Sequence, residues 1–339
     1  MKLETESQRY GPEVSAEIAA IVGASRLPLY DMIRYHLGRV EEGTEGLRDN
    51  KPLRSTLCLM TCEVVGGDWR TALPAAAAVD LVHDFSLIHN DIEGQSPKGR
   101  RGGTLSKVWG QAQAINAGDA LFALARLALL RLRDKHVPDQ KVLQSVASLD
   151  EACLQLTTGQ YLDISYEERT DMTVTEYMNM ISAKAAALFA CSFHLGSLTG
   201  CDDPDRIRHF HNFGHEFGIA YQIRDDVAAL WSERPGRGKS RLPALRQKRK
   251  MLPVVRAFEV CEGETRQQLD RMYRQERLGN ADVDSLFGIF DHIDARKYCD
   301  DLAAEHAEYA LAELSAAGLP AKTIKDLQQI TAQVLAVSR

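Results

Sequence analysis

"LVHDFSLIHNDIEGQ", residues 81–95, is the stretch on which the fold turns. It describes a buried helix that ends in acids. Phe85, Leu87 and Ile88 are apolar, and Asn90, Asp91 and Glu93 follow within one turn. Acids at the end of an apolar helix usually hold something positive. The question is whether this turn binds a metal ion with Asn90 and Gly94 where stronger ligands are expected. A second stretch, "IRDDVAAL" at 223–230, repeats the pattern with Asp225 and Asp226. Two such helices facing each other would aim two acidic clusters into one cavity.

Outward from these stretches, helix signals dominate. Alanine and leucine abound, and apolar residues recur at three- and four-residue spacing. The spacing predicts helices over 12–22, 27–42, 53–65, 70–93, 115–135, 139–160, 175–198, 205–231, 248–260, 264–277, 281–289, 294–317 and 320–337. Strand-like alternation is nearly absent. Breaks carry Gly, Pro, Asp or Asn, as in "VGGDW" at 65–69, "SPKGRRGGT" at 96–104, "CDDPD" at 201–205 and "ERPGRGKSRLP" at 233–243. No linker halves the chain. The expected architecture is a single all-α domain over 1–339, a bundle of ten or more helices around a central cavity.

Composition narrows the function classes. With 45% hydrophobic residues in 339, a sizeable core can be buried. A formal charge of −6 argues against a nucleic-acid partner, and the one basic run, "RQKRK" at 246–250, is taken as a solvated face. Seven cysteines without C-x-x-C pairs point to reduced thiols and a cytoplasmic protein. "MKLETESQRYG" has no apolar core and is not a signal peptide. "LFALARLALLRLR" at 121–133 comes nearest to a membrane span but carries three arginines, so no span is expected.

Carboxylates in an apolar cavity are costly unless a cation neutralises them. Mg²⁺ prefers oxygen ligands and bridges carboxylates to substrate phosphates. The partner would then be a phosphate or diphosphate, and basic residues should converge on it. Candidates are Lys51, Arg54, Arg100, Arg101, Lys184 and Lys239. Below that polar mouth, Phe85, Ser86, Leu156, Leu188, Phe189 and Phe217 would line an apolar tube. Such a site suits an isoprenoid diphosphate, with a carbocation forming in a dry pocket. An Asp-Asp pair on a helix is by itself more often a solvated face or a cap, so the combination carries the inference.

Six ordered motifs supply that combination: "NKPLRSTLCLM", "LVHDFSLIHNDIEGQSPKGRRGGT", "QAINAGDALFALA", "TTGQYLDISYE", "MISAKAAALFACSF" and "FGIAYQIRDDVAALW". With them the sequence resembles the trans-type isoprenyl diphosphate synthases (polyprenyl synthetases), most strongly over 27–260. The resemblance implies an isoprenoid-synthase-type fold, Mg²⁺ as cofactor, prenyl diphosphate substrates and a homodimer. Its first aspartate-rich motif is D-D-x-x-D; here Asn90 and Gly94 replace the first and last aspartates, leaving Asp91, with Asn90 and Glu93 as further metal candidates. The family's arginine pair corresponds either to Arg100 and Arg101 slipped by one residue or to Arg100 alone. The second motif keeps Gln222, Asp225 and Asp226, with Ala229 at its fifth position. Lys184 matches a lysine on the allylic diphosphate, although Ala185 replaces the threonine that follows it, and Lys239 matches a lysine in the loop beyond the second motif. Lys51, Arg54 and His83 match the metal-free site for isopentenyl diphosphate. Phe85 and Ser86 occupy the positions that gate chain length, and an aromatic there implies a product of about C10–C20.

Other residues take plainer readings. Trp69, Trp109 and Trp231 are expected in the core or at element ends, and Tyr161 and Tyr177 either line the cavity or are structural, the second being the commoner case. Asp163 either orients basic groups or bonds a neighbouring helix, and Gly118 in "NAGD" allows close helix packing. Three functions follow. The first is an Mg²⁺-dependent prenyltransferase that condenses an allylic diphosphate with isopentenyl diphosphate. The second is a class I terpene synthase-like enzyme that cyclises a prenyl diphosphate. The third is a weakened regulatory subunit paired with a complete homologue.

Overall fold

A computed structural model describes residues 2–23, 25–38, 53–93, 103–231 and 243–337. Every regular element among them is helical, as the three-and-four spacing predicts. Contacts gather the chain into two compact units, Met1–Cys153 with Cys191–His211, and Leu154–Ala190 with Asn212–Arg339.

The first unit carries α1 (Leu3–Val22), α2 (Pro28–His36), α3 (Leu53–Val64), α4 (Leu73–Ile92), α5 (Leu105–Trp109), α6 (Gln111–Leu130) and the start of α7 (Asp139–Tyr166). α1 begins nine residues before the expected start at 12 and runs through Pro12. Its buried stripe explains this, since Tyr10, Val14, Ile18 and Val22 recur every four residues. A clamp adds to it. Arg9 donates to both carboxylate oxygens of Glu63 at 2.8 and 2.7 Å, and the Tyr10 hydroxyl donates to the same group at 2.6 Å. That tertiary anchor outweighs the local cost of a helical proline. α2 stops at His36, short of the expected 42, and residues 39–42 lie outside the described residues. α5 was not anticipated.

α4 owes its position to the fully buried run Ala75–Ala78. Small side chains there let α6 come close, and on α6 a Cβ at Gly118 would lie 2.4 Å from His89 Nε2. Among the described residues, Trp69–Ile92 and Val174–Gly200, rather than 121–133, are the stretches long and apolar enough to cross a membrane, and 72% of each window is buried inside the protein. They are core helices. Trp69 packs edge-on to Tyr10, and Trp109 closes α5 against Tyr35.

The second unit carries the rest of α7, then α8 (Val174–Ile181), a π turn at Ser182–Ala186 and the start of α9 (Ala187–Gly200). α10 (Pro204–Trp231) begins in the first unit and belongs to the second from Asn212 on, and α11 (Pro243–Arg246), α12 (Leu252–Val260), α13 (Gly263–Tyr273), α14 (Asn280–His292), α15 (Ala295–Ala316) and α16 (Ala321–Val337) follow. A capping box starts α8: the Thr173 hydroxyl accepts from the Glu176 N–H while the Glu176 carboxylate accepts from the Thr173 N–H. The helix expected at 175–198 runs over Val174–Gly200 and widens into the π turn at Ser182–Ala186. α12 begins at Leu252 rather than 248, because Lys248 takes φ 59°, a left-handed value that stops a helix. Tyr177, Met180 and Ile181 pack in one core with Ile223 and Val227 of α10 and Leu252 of α12.

Candidate active site

α10 brings Gln222, Asp225 and Asp226 to one pocket of the second unit, with a volume of about 80 Å³. Asp163, Lys184, Tyr177, Arg249, Lys250 and Ala229 also line it. Asp226 is 7% exposed, and both oxygens of its carboxylate accept hydrogen bonds. Oδ2 accepts from the Tyr177 hydroxyl at 2.5 Å and from the Leu252 N–H at 2.9 Å; Oδ1 accepts from Gln222 Nε2 at 3.0 Å. Burial pushes the Asp226 carboxyl up to about 6, the three donors pull against it, and neighbouring Asp225 adds to the rise. Asp225 itself is exposed. Spacing explains the division of labour, since adjacent helical residues point about 100° apart.

Lys184 rides on the π turn, and its ammonium donates to Asp163 Oδ2 at 2.5 Å. Asp163 is 8% exposed. This one bond meets both expected roles, since Lys184 is a basic group and sits on a neighbouring helix. Tyr177, read from sequence as cavity-lining or structural, lines the pocket and is bonded to Asp226. Tyr161, read the same way, is 68% exposed.

The solvated reading of "RQKRK" is corrected at its last residue. Lys250 is buried, and its ammonium has no hydrogen-bond partner. It rests 4.7 Å from the centre of the Tyr273 ring and 5.7 Å from that of Phe258. Burial, and then the charge of Lys248, lower its pKa to about 8. The apolar run Met251–Val254 directly behind it was the sequence signal that a core element begins there. Leu156, Leu188, Phe189 and Phe217, expected along a tube, are buried. Phe189 and Phe217 meet edge-on at 5.4 Å, and Tyr221 stands 5.0 Å from Phe189.

In the first unit, Arg54 Nη1 and His83 Nε2 lie 3.4 Å apart, so two of the three residues expected for the second substrate come together. The Ser86 hydroxyl donates to the His83 carbonyl at 2.7 Å, and Phe85 packs edge-on to His89 and against Phe122. Asn90 and Asp91 are half-buried in the last turn of α4, while Glu93 lies just past it and is exposed. Lys51, Gly94, Arg100, Arg101 and Lys239 lie outside the described residues.

The donors in the second unit fit Mg²⁺. Asp225, Asp226 and the Gln222 amide offer hard oxygens, and Mg²⁺ takes one or two carboxylates plus waters and phosphate oxygens. Among the described residues no group of three or more His, Cys, Asp or Glu is poised to hold a metal alone. An all-protein cage such as structural zinc needs is therefore absent among them.

The acid pair and the lysine thus share one pocket of a helical scaffold. The sequence matches the polyprenyl synthetase family over residues 45–290. It is 34% identical to a short chain isoprenyl diphosphate synthase of Methanothermobacter thermautotrophicus over 263 residues, 77% of this chain and 78% of that protein. It is 30% identical over 307 residues to a (2E,6E)-farnesyl diphosphate synthase of Mycobacterium bovis, covering 88% and 83%. Among solved structures, a geranylgeranyl pyrophosphate synthetase from Pyrococcus horikoshii superimposes with a TM-score of 0.87 at 27% identity, covering 98% of each chain. The chain belongs to the polyprenyl synthetase family.

Proposed function

We propose that the protein is an Mg²⁺-dependent prenyltransferase that condenses an allylic prenyl diphosphate with isopentenyl diphosphate to a product of about C10–C20. The observation that carries it is the shared pocket of Asp225, Asp226 and Lys184. Three carboxylates, two ammoniums and Arg249 line that one small cavity, a mix of charges that suits a metal-bridged diphosphate. Mg²⁺ would supply charge neutralisation at the leaving diphosphate. Asp225 and Asp226 would hold the ion, with Gln222 fixing Asp226. Lys184 would leave Asp163 for the diphosphate, a stronger and more highly charged acceptor. Arg54 and His83 are a donor set for the second diphosphate, with Lys51 assigned there from the motif. By the same correspondence Arg100, Arg101 and Lys239 would meet the allylic diphosphate, and Phe85 and Ser86 would limit product length. Asn90, Asp91 and Glu93 bring fewer carboxylates than the family motif, so the second cluster would carry most of the metal affinity.

The family match crosses both units, which supports reading 1–339 as one functional domain. Exposed Ile115, Leu127 and Leu130 on α6 support a homodimer, checked by sedimentation. The free state of all seven cysteines supports a reducing, cytoplasmic setting. The test incubates the purified protein with Mg²⁺, isopentenyl diphosphate and each allylic diphosphate in turn. A longer diphosphate is expected; none with any primer refutes the proposal. Asn90 in place of an aspartate favours one other reading, cyclisation of a single prenyl diphosphate. A hexane-soluble product formed without isopentenyl diphosphate would select it.

A further inference from the structure

Four polar side chains outside the pocket form a chain of hydrogen bonds that ends on the turn carrying Lys184. The Ser182 hydroxyl lies 2.7 Å from His215 Nε2. His215 Nδ1 lies 3.1 Å from Glu216 Oε1, and His306 Nδ1 lies 2.6 Å from Glu216 Oε2. A carboxylate only accepts, so both imidazoles carry a proton on Nδ1, and in the neutral ring Nε2 of His215 is the acceptor for the Ser182 hydroxyl. Burial would raise the Glu216 carboxyl, but the bonds from His215 and His306 overcome it and hold the group at about 2. Ser182 opens the π turn, α10 supplies His215 and Glu216, and α15 supplies His306.

We infer that the chain Ser182–His215–Glu216–His306 is a positioning relay that holds the π turn open and thereby sets where Lys184 meets an anionic ligand. This rests on reading the Lys184 pocket as a diphosphate site. The π turn needs holding because it is rarer and less stable than an α turn. Its defining bond runs from the Ala187 N–H to the Ser182 carbonyl. The residue whose backbone accepts that bond is the one whose side chain is tied to His215. A π turn contains one extra residue, so collapse to α register would swing Lys184 by about 100° relative to α9. Backbone packing supplies the walls: a Cβ on Gly159 would lie 2.3 Å from the Lys184 nitrogen, and one on Gly218 would lie 2.6 Å from the Ala186 Cα. The walls fix the turn sideways, and the relay fixes its register. Ser182, His215, Glu216 and His306 therefore act through Lys184 and touch no substrate.

The test is a double-mutant cycle on inorganic pyrophosphate affinity, measured by calorimetry on the full chain. Ser182→Ala and His215→Ala should each weaken binding about tenfold in the wild type and change nothing in a Lys184→Ala background. Ser182→Thr, which keeps the hydroxyl, should restore affinity. Equal losses in both backgrounds would overturn the relay. Amide exchange supplies a second arm that needs no ligand. Ser182→Ala removes a single oxygen, leaves the fold intact, and should speed exchange across 183–187 by about tenfold and nowhere else. Unchanged exchange there overturns the relay. A wild type that ignores pyrophosphate while the variant still exchanges faster refutes the diphosphate reading instead, and upholds the relay's hold on the turn.

Discussion

Replacing Asp226 by asparagine should stabilise the protein while abolishing its chemistry. The pocket shows why. Oδ2 takes bonds from the Tyr177 hydroxyl and the Leu252 N–H, and Oδ1 takes one from Gln222. Asparagine can keep its oxygen at the first position and place its amide at the second, where Gln222 need only turn its own amide oxygen inward. Every partner stays satisfied, and only the buried charge is lost. That charge is costly. The carboxyl is raised from 3.8 to about 6 by burial first and by Asp225 last. A carboxyl with a raised folded pKa binds a proton more readily folded than unfolded, so its stability contribution falls as pH climbs from 3.8 to 6 and stays low above. Roughly two units correspond to about 3 kcal/mol as an upper bound. The assay is urea denaturation of wild type and Asp226→Asn, in chelator, at pH 7.5 and pH 5. The variant should be more stable by up to about 3 kcal/mol at pH 7.5. The gain should shrink at pH 5, where the wild-type carboxyl is largely protonated. All other groups cancel in the difference. A variant that is less stable at pH 7.5, or a gap that ignores pH, would refute the reasoning.

Three further outcomes are expected. Lys250→Met keeps the stem and removes a buried ammonium without a hydrogen-bond partner, so the melting temperature at pH 7 should rise; the gain should fade above pH 8, where the wild-type amine already sheds its proton. The same variant should bind pyrophosphate more weakly, and unchanged affinity would remove Lys250 from the anion site. Glu63→Ala strands the buried Tyr10 hydroxyl and frees Arg9, which should cost about 1–3 kcal/mol in urea denaturation. Asn90→Asp restores a carboxylate to the last turn of α4, so the Mg²⁺ concentration for half-maximal turnover should fall; no shift would show that this turn takes no part in metal binding.

The site was legible in parts that differ in kind. The acid pair at 225–226 was visible through its combination with the other motifs, and Lys184 was visible through its own. Arg54 and His83, twenty-nine residues apart, were paired by resemblance and do meet. Lys250 was misjudged because a basic run shows its charges and conceals which of them is inside. The expectation for Tyr177 missed the hydroxyl that reaches Asp226, since α8 and α10 must pack before the two can touch.

Periodicity by itself determined that the chain is helical, where most helices lie and that two helix ends carry acids, because a 3.6-residue repeat of apolar side chains is a local property. Packing decided the rest. α1 runs through a proline because Glu63 grips it, and a continuous apolar pattern at 175–198 opens into a π turn. Those outcomes depend on atoms far apart in sequence, such as Gly159 against Lys184 and His215 against Ser182. Hydrogen bonds and close contacts between distant segments exist only after folding, and no pattern within a single helix encodes them.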